Sequence, residues 1–395
     1  MRGYLLSGVT VVTPTHVFRK GYVAVEGDTI VAVGKEPPKD LEGFDAVKLE
    51  GYIIGPGFVD THMHGALGVD LISASPGRVE ELSRKLTRFG VTSFVPTSVA
   101  LPQEALRAFC RNVASAEGVP GGARVVGIHL EGPYINPARA GAEKPSYMRD
   151  ASLEEFEDLL AESRGLLRAI TVAPEVRGVK ELISHAVAKG VVVQVGHTEA
   201  TYSEVEEAVA LGASKATHLY DAMGAFHHRS PGPALALLRA EDVYLELIVD
   251  FVHVAPEVVD FTVDYASHRR VVLVSDSTSA AGMPDGRYKL GDTEIEVAGG
   301  IARTVDTKAL VSALTMDRAF ANIVSLGYSL AKAFYMSSLA PALSLGLAWR
   351  YRIGTLRPGF KADMVVLDPK DLSVAATIVG GTISYVKEDL KHLLK

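Results

Sequence analysis

From residue 55 onward the sequence keeps returning to one pattern, a short apolar and β-branched run followed by a stretch of helical length. Runs that are apolar throughout suit strands buried on both faces, and such strands alternating with helices indicate parallel βα units. Eight runs stand out: GFVDTHMH (57–64), VTSFVPT (91–97), RVVGIHLE (124–131), LRAITVA (167–173), VVVQVGH (191–197), SKATHL (214–219), YLELIVD (244–250) and RVVLVSD (270–276). Helix starts between them carry ordinary cues, such as Ser152 ahead of LEEFEDLLAES and Pro256 opening EVVDFTVDYASH. Eight units predict a (β/α)8 TIM barrel over residues 55–350.

The flanks have a different texture. Residues 1–54 and 351–395 hold short strand-like runs and glycine turns, and they predict one small β-sandwich domain built from both chain termini. Inside the barrel segment, residues 285–305 alternate like an inserted hairpin, and helices are expected over 314–327 and 329–346.

Composition narrows the function. A net charge of -7 with no lysine or arginine cluster excludes the electrostatic footprint of a nucleic-acid binder. The one cysteine, Cys110, cannot pair within the chain and reads as a core thiol in a reducing compartment. No charged leader with a long apolar core opens the sequence, and no uncharged apolar run is long enough to span a bilayer, so no membrane partner and a cytoplasmic location are expected.

The ends of the runs carry the chemistry. His62 and His64 end the first, Glu131 the third, His197 the fifth, His218 the sixth and Asp276 the eighth. Alternation along a strand turns His62 and His64 to one side and Met63 to the other. Any one of these residues alone has an ordinary reading as a bonded core histidine or a solvated acid. Six at the carboxyl ends of strands is the pattern of a barrel active site. Imidazole and carboxylate donors without thiolate suit a divalent ion, zinc first, with iron, manganese or cobalt as alternatives. One ion would need only Glu131, His197 and His218; two ions would use His62 and His64 as well, with Glu131 between them. Either way a bound water would be acidified toward a pKa of about 7, and Asp276 is the natural general base to take its proton. A barrel that had lost catalysis would have no use for the full set.

The sequence resembles the N-acetylglucosamine-6-phosphate deacetylase family of the amidohydrolase superfamily. The likeness rests on PGFVDTHMHG, HLEGPYIN (129–136), VGHTEA (195–200), THLYDAM followed by HHRSPG (217–232), LVSDSTSAAGMPDG (273–286) and the ending GTLRPGFKADMVVLD. It implies metal-dependent hydrolysis of the 2-acetamido group of a small-molecule amino sugar, in a homodimer where Arg229 helps hold the phosphate. It further implies substrate contacts at His253, at Ala222, and at the positions filled here by Glu143 and Asp221. Other branches bridge two metals through a carbamylated lysine on the fourth strand; AITVAPE has none, so the resemblance gives that role to Glu131. Two departures stand out. Glu143 replaces a family histidine and Asp221 a family asparagine, adding negative charge near the expected phosphate, with Lys144 beside Glu143 as a partner. Like charges about 4 Å apart cost about 1 kcal/mol in bulk water and about 4 near a protein surface, which favours an unphosphorylated N-acetyl sugar or related N-acyl compound as the alternative substrate.

Overall fold

The computed structural model describes residues 3–41, 43–116 and 119–391; positions 1–2 and 392–395 of the expected terminal domain lie outside the described residues. Each of the eight apolar runs contains a strand: β1 (Phe58–Met63), β2 (Val91–Ser98), β3 (Ile128–Glu131), β4 (Leu167–Val172), β5 (Val192–Val195), β6 (Lys215–Ala216), β7 (Tyr244–Ile248) and β8 (Val271–Val274). They pair in chain order, parallel throughout. The ring is completed just past the strand ends, where the Asp276 amide donates to the His62 carbonyl at 2.9 Å and Met63 bridges to Ser277. This is a nearly closed TIM barrel. Burial on both faces explains the uninterrupted apolar runs: all four residues of β8 are buried, and helices such as Val179–Ala188 lay Leu182, Ile183 and Ala186 against the outside.

Both termini join one eight-stranded sheet. Tyr4–Val12, Val17–Glu26, Thr29–Gly34, Asp45–Lys48 and Ile53–Pro56 come from the front of the chain, and Met364–Leu367, Val374–Val379 and Thr382–Val386 from its end. The seam is the antiparallel pair of Ile53–Pro56 with Met364–Leu367. Thr29 bridges to Lys361 on the far side, so the sheet folds over and Leu6, Val23, Ile30, Met364 and Ile378 share one core, as a sandwich requires.

Two local expectations need correction. The segment expected to be a hairpin over 285–305 is a four-stranded antiparallel sheet, Gly286–Leu290, Thr293–Ala298, Ile301–Thr304 and Leu310–Val311. The Gly299–Gly300 pair, both at positive φ, makes a second turn that carries the chain back over the barrel mouth. The helix expected over 329–346 is broken into Leu330–Phe334, a wide π turn at Tyr335–Leu339, and Ala340–Ser344. Pro341 has no amide hydrogen to give to the preceding turn, and the wide turn absorbs the loss.

Strand Ile53–Pro56 enters the barrel over Phe334, whose ring packs against Phe58 and Phe320. A Cβ on Gly55 would lie 2.1 Å from that ring. Gly55→Ala is therefore expected to cost about 1–3 kcal/mol of stability through overpacking, read from the urea midpoint, and Phe334→Leu in the same background should recover part of it. A midpoint corresponding to less than about 0.5 kcal/mol of change would contradict this packing.

Candidate metal centre

The strands stop short of the residues that matter. β5, β6 and β8 end at Val195, Ala216 and Val274, and His197, His218 and Asp276 follow with φ of 48°, 25° and 47°. Left-handed backbone at non-glycine residues is costly and concentrates at functional sites; here it turns three side chains inward over the barrel mouth. β1 also ends irregularly, yet His62 and His64 still converge, with ring centroids 5.2 Å apart. Gly65 lets the chain leave at once, since a Cβ there would sit 2.2 Å from the Val69 carbonyl oxygen.

The six residues form two groups about one carboxylate. Glu131 Oε1 lies 3.2 Å from His197 Nε2 and 3.0 Å from His218 Nε2, and those two nitrogens are 3.1 Å apart. Glu131 Oε2 lies 3.4 Å from His62 Nε2 and 3.3 Å from His64 Nε2, and Asp276 Oδ1 is 3.2 and 3.1 Å from the same pair. Ligands bonded at about 2.0–2.1 Å in a tetrahedron stand about 3.3 Å from one another, so both groups have the spacing of donors around an ion. His62, His64 and Asp276 could hold one divalent cation, and Glu131, His197 and His218 another. His62 Nε2 is buried without a hydrogen-bond partner among the described residues, as a nitrogen reserved for a metal would be.

Charge follows the same geometry. Burial resists protonation of His64 and His197, but bonds to Glu131, and for His64 also to Asp276, prevail and raise them to about 10 and about 9. Burial alone would raise Glu131 and Asp276; the surrounding imidazoles instead hold both below the usual carboxylate range.

A cavity of about 210 Å³ opens above the two groups, lined by His64, Glu131, His197, His218 and Asp276 and by the walls Ile248, Thr278 and Leu310–Ser312. Glu143, Asp221, Ala222 and His253 line it as well. Glu143 Oε2 accepts from the Ala100 amide while Oε1 approaches His197 Nε2 at 3.9 Å; burial and the charge of Glu131 push its carboxyl up to about 8. The expected Lys144 partner is not made. Lys144 turns outward to Asp292 at 3.5 Å, because pairing inward would bury its ammonium. Burial raises Asp221 to about 6. His253 is anchored by Asp250, which accepts from its Nδ1 at 2.6 Å and from two amides at 2.8 Å. Arg229 lies on the exposed turn made by His227 and Ser230 and does not line this cavity.

Sequence reading missed the layer beneath. Glu246 and Lys215 are buried in β7 and β6, with Asp60, His129 and Gln194 nearby in β1, β3 and β5. The available cue was a charge set inside an apolar strand run, where it has no place unless it is paired. Asp250, which holds His253, was also passed over.

These features define a metal-type hydrolase centre at the mouth of a TIM barrel. Residues 53–384 match the model of the amidohydrolase family, and the chain belongs to that family. It is 38% identical to the N-acetylgalactosamine-6-phosphate deacetylase of Escherichia coli O157:H7, over 80% of this chain and 84% of that protein. It is 31% identical to the N-acetylglucosamine-6-phosphate deacetylase of Bacillus subtilis strain 168, over 98% of this chain and 99% of that one. Among solved structures, an aspartate-to-alanine mutant of the Mycobacterium smegmatis N-acetyl-D-glucosamine-6-phosphate deacetylase, in complex with N-acetyl-D-glucosamine-6-phosphate, superposes with a TM-score of 0.91 at 36% identity, covering 98% of this chain and 100% of that one. Dihydropyrimidinase from Brevibacillus agri, at 16% identity and a TM-score of 0.63, shares the fold.

Proposed function

We propose that this chain is a metal-dependent deacetylase that converts N-acetylglucosamine 6-phosphate to glucosamine 6-phosphate and acetate. The observation that carries the reading is the Glu131 carboxylate, one oxygen among His197 and His218 and the other among His62 and His64, beneath a cavity sized for a small polar substrate. Likeness to deacetylases of two N-acetylhexosamine 6-phosphates supports the substrate class. His62, His64 and Asp276 would hold one ion and Glu131, His197 and His218 the other, zinc being the first choice for this donor set. Bound there, a divalent ion supplies Lewis acidity, polarising the amide carbonyl and making water acidic enough to attack near neutral pH.

The remaining work falls to the chain. Asp276 lies against His62 and His64 and is 16% exposed at the cavity, so as a carboxylate it can take a proton from the attacking water and give it to the amine nitrogen as the C–N bond breaks. His253, fixed by Asp250, is placed to meet a sugar hydroxyl, and Glu143, Asp221 and Ala222 line the same cavity. Arg229 would serve the phosphate from a second copy. Helix Pro256–Ala266 leaves Val258, Phe261 and Tyr265 exposed at helical spacing, an apolar stripe fitting a homodimer contact. Among the described residues no helix is long and apolar enough to cross a membrane, and we read the protein as a cytoplasmic enzyme. The second reading, an unphosphorylated N-acetyl sugar or related N-acyl compound, draws on the acidic side chains of Glu143 and Asp221 in the cavity wall.

Acetate release from N-acetylglucosamine 6-phosphate, its galactosamine epimer and plain N-acetylglucosamine is the direct test, with the first expected to give the highest kcat/KM. Asp276→Asn should lower kcat by at least about 10²-fold in an otherwise folded protein. A variant keeping more than roughly a tenth of wild-type kcat would end the proton-carrier assignment.

Specificity gives a separate measurement, the ratio of kcat/KM for the phosphorylated over the plain glucosamine substrate. Removing one like charge near a dianion should be worth on the order of 1–3 kcal/mol, so Asp221→Asn should raise that ratio roughly 5- to 150-fold. Arg229→Ala should lower it. A shift below about twofold in both variants would mean that neither side chain senses the phosphate.

A further inference from the structure

Beneath the two groups of donors lies an ion pair that does not line the cavity. Lys215 Nζ stands 2.6 Å from Glu246 Oε1, both side chains fully buried, and donates to Thr61 Oγ1 at 3.0 Å. Taking two charges out of water costs about as much as their attraction returns, so a pair in this place contributes little as a source of stability. Its other contacts run to the site. Glu246 Oε2 accepts from His62 Nδ1 at 3.0 Å and from the His218 amide at 3.3 Å. His129 packs edge-on against the His62 ring with centroids 4.8 Å apart, and is itself fixed by Thr171 at 2.7 Å. The His62 ring is thus gripped from below, with Nε2 left facing Glu131 and Asp276.

We propose that Glu246, anchored by Lys215, is a positioning residue for His62 and thereby sets the affinity of the His62, His64 and Asp276 position for a divalent cation, separately from the Glu131, His197 and His218 position. The inference rests on the two-position reading above. The physical basis is the hydrogen bond from the far nitrogen of a ligating histidine to a carboxylate: it fixes which nitrogen carries the hydrogen, holds the ring plane, and makes the free nitrogen a better donor. Lys215 makes that carboxylate tolerable in the barrel interior. The second position depends on Glu246 less directly: His197 Nδ1 meets the Arg139 carbonyl oxygen at 2.7 Å, and His218 meets Glu246 only through its backbone amide at 3.3 Å, a bond that a glutamine carbonyl oxygen can still accept, so Glu246→Gln should disturb the first position more than the second.

The test uses metal-free wild-type protein and Glu246→Gln, each titrated with Zn²⁺ against a chromophoric chelator. The wild type should take two ions, and the variant should keep one at unchanged affinity while the other weakens roughly 10- to 100-fold. Two ions at wild-type affinity in Glu246→Gln, or equal weakening of both, would overturn the proposal. A wild type that takes a single ion would remove the two-position reading and this inference together, an outcome distinct from the other two. Should Glu246→Gln fail to fold, spectra of ¹⁵N-histidine-labelled, zinc-loaded wild type decide the matter. His62 must carry hydrogen on Nδ1 and zinc on Nε2, and zinc on Nδ1 would overturn the assignment.

Discussion

A carboxylate withdrawn from water into the mouth of a barrel is tolerable only if positive charge or donors come to both of its oxygens. At Glu131 they come from four imidazoles, two to each oxygen, carried on the ends of β1, β5 and β6. That demand fixes much else. β5, β6 and β8 end early so that His197, His218 and Asp276 can turn through left-handed backbone, and the Asp276 amide closes the barrel on the His62 carbonyl. Closure of the fold and assembly of the first group are therefore one event, since moving β8 against β1 would separate Asp276 from both histidines.

The barrel and the six donor residues were legible in the sequence for a single reason. Strands buried on both faces leave no room for polar residues except where they end, so His62, His64, Glu131, His197, His218 and Asp276 stood out against apolar runs. The same logic hid Glu246 and Lys215. A charge in the middle of a short run looks like an imperfection in the pattern, and only a three-dimensional neighbour shows it to be half of a pair. Lys144 misled by adjacency, because next-door residues on a loop need not face the same way, and it sought solvent and Asp292 instead of Glu143. The wide turn at Tyr335–Leu339 and the fourth strand Leu310–Val311 depend on packing that periodicity cannot register.

The cavity combines a strongly structured floor with an unusual wall. Its floor holds imidazoles and carboxylates at spacings that suit cations, while Glu143 and Asp221 bring two further acids to the wall. Burial raises both above the ordinary carboxyl range, Glu143 to about 8 and Asp221 to about 6, so that near neutral pH Glu143 is largely protonated while Asp221 keeps most of its charge. This tempers the repulsion of a phosphorylated substrate and lets the deacetylase reading stand beside the two departures.

The central claim is that one carboxylate organises two adjacent cation positions. Anomalous diffraction at the zinc edge from zinc-loaded crystals tests it without recourse to activity. The account predicts two peaks about 3.5–4 Å apart, one between His197 and His218 and one among His62, His64 and Asp276, with Glu131 between them. A single peak at His197 and His218, with none beside His62 and His64, would contradict it.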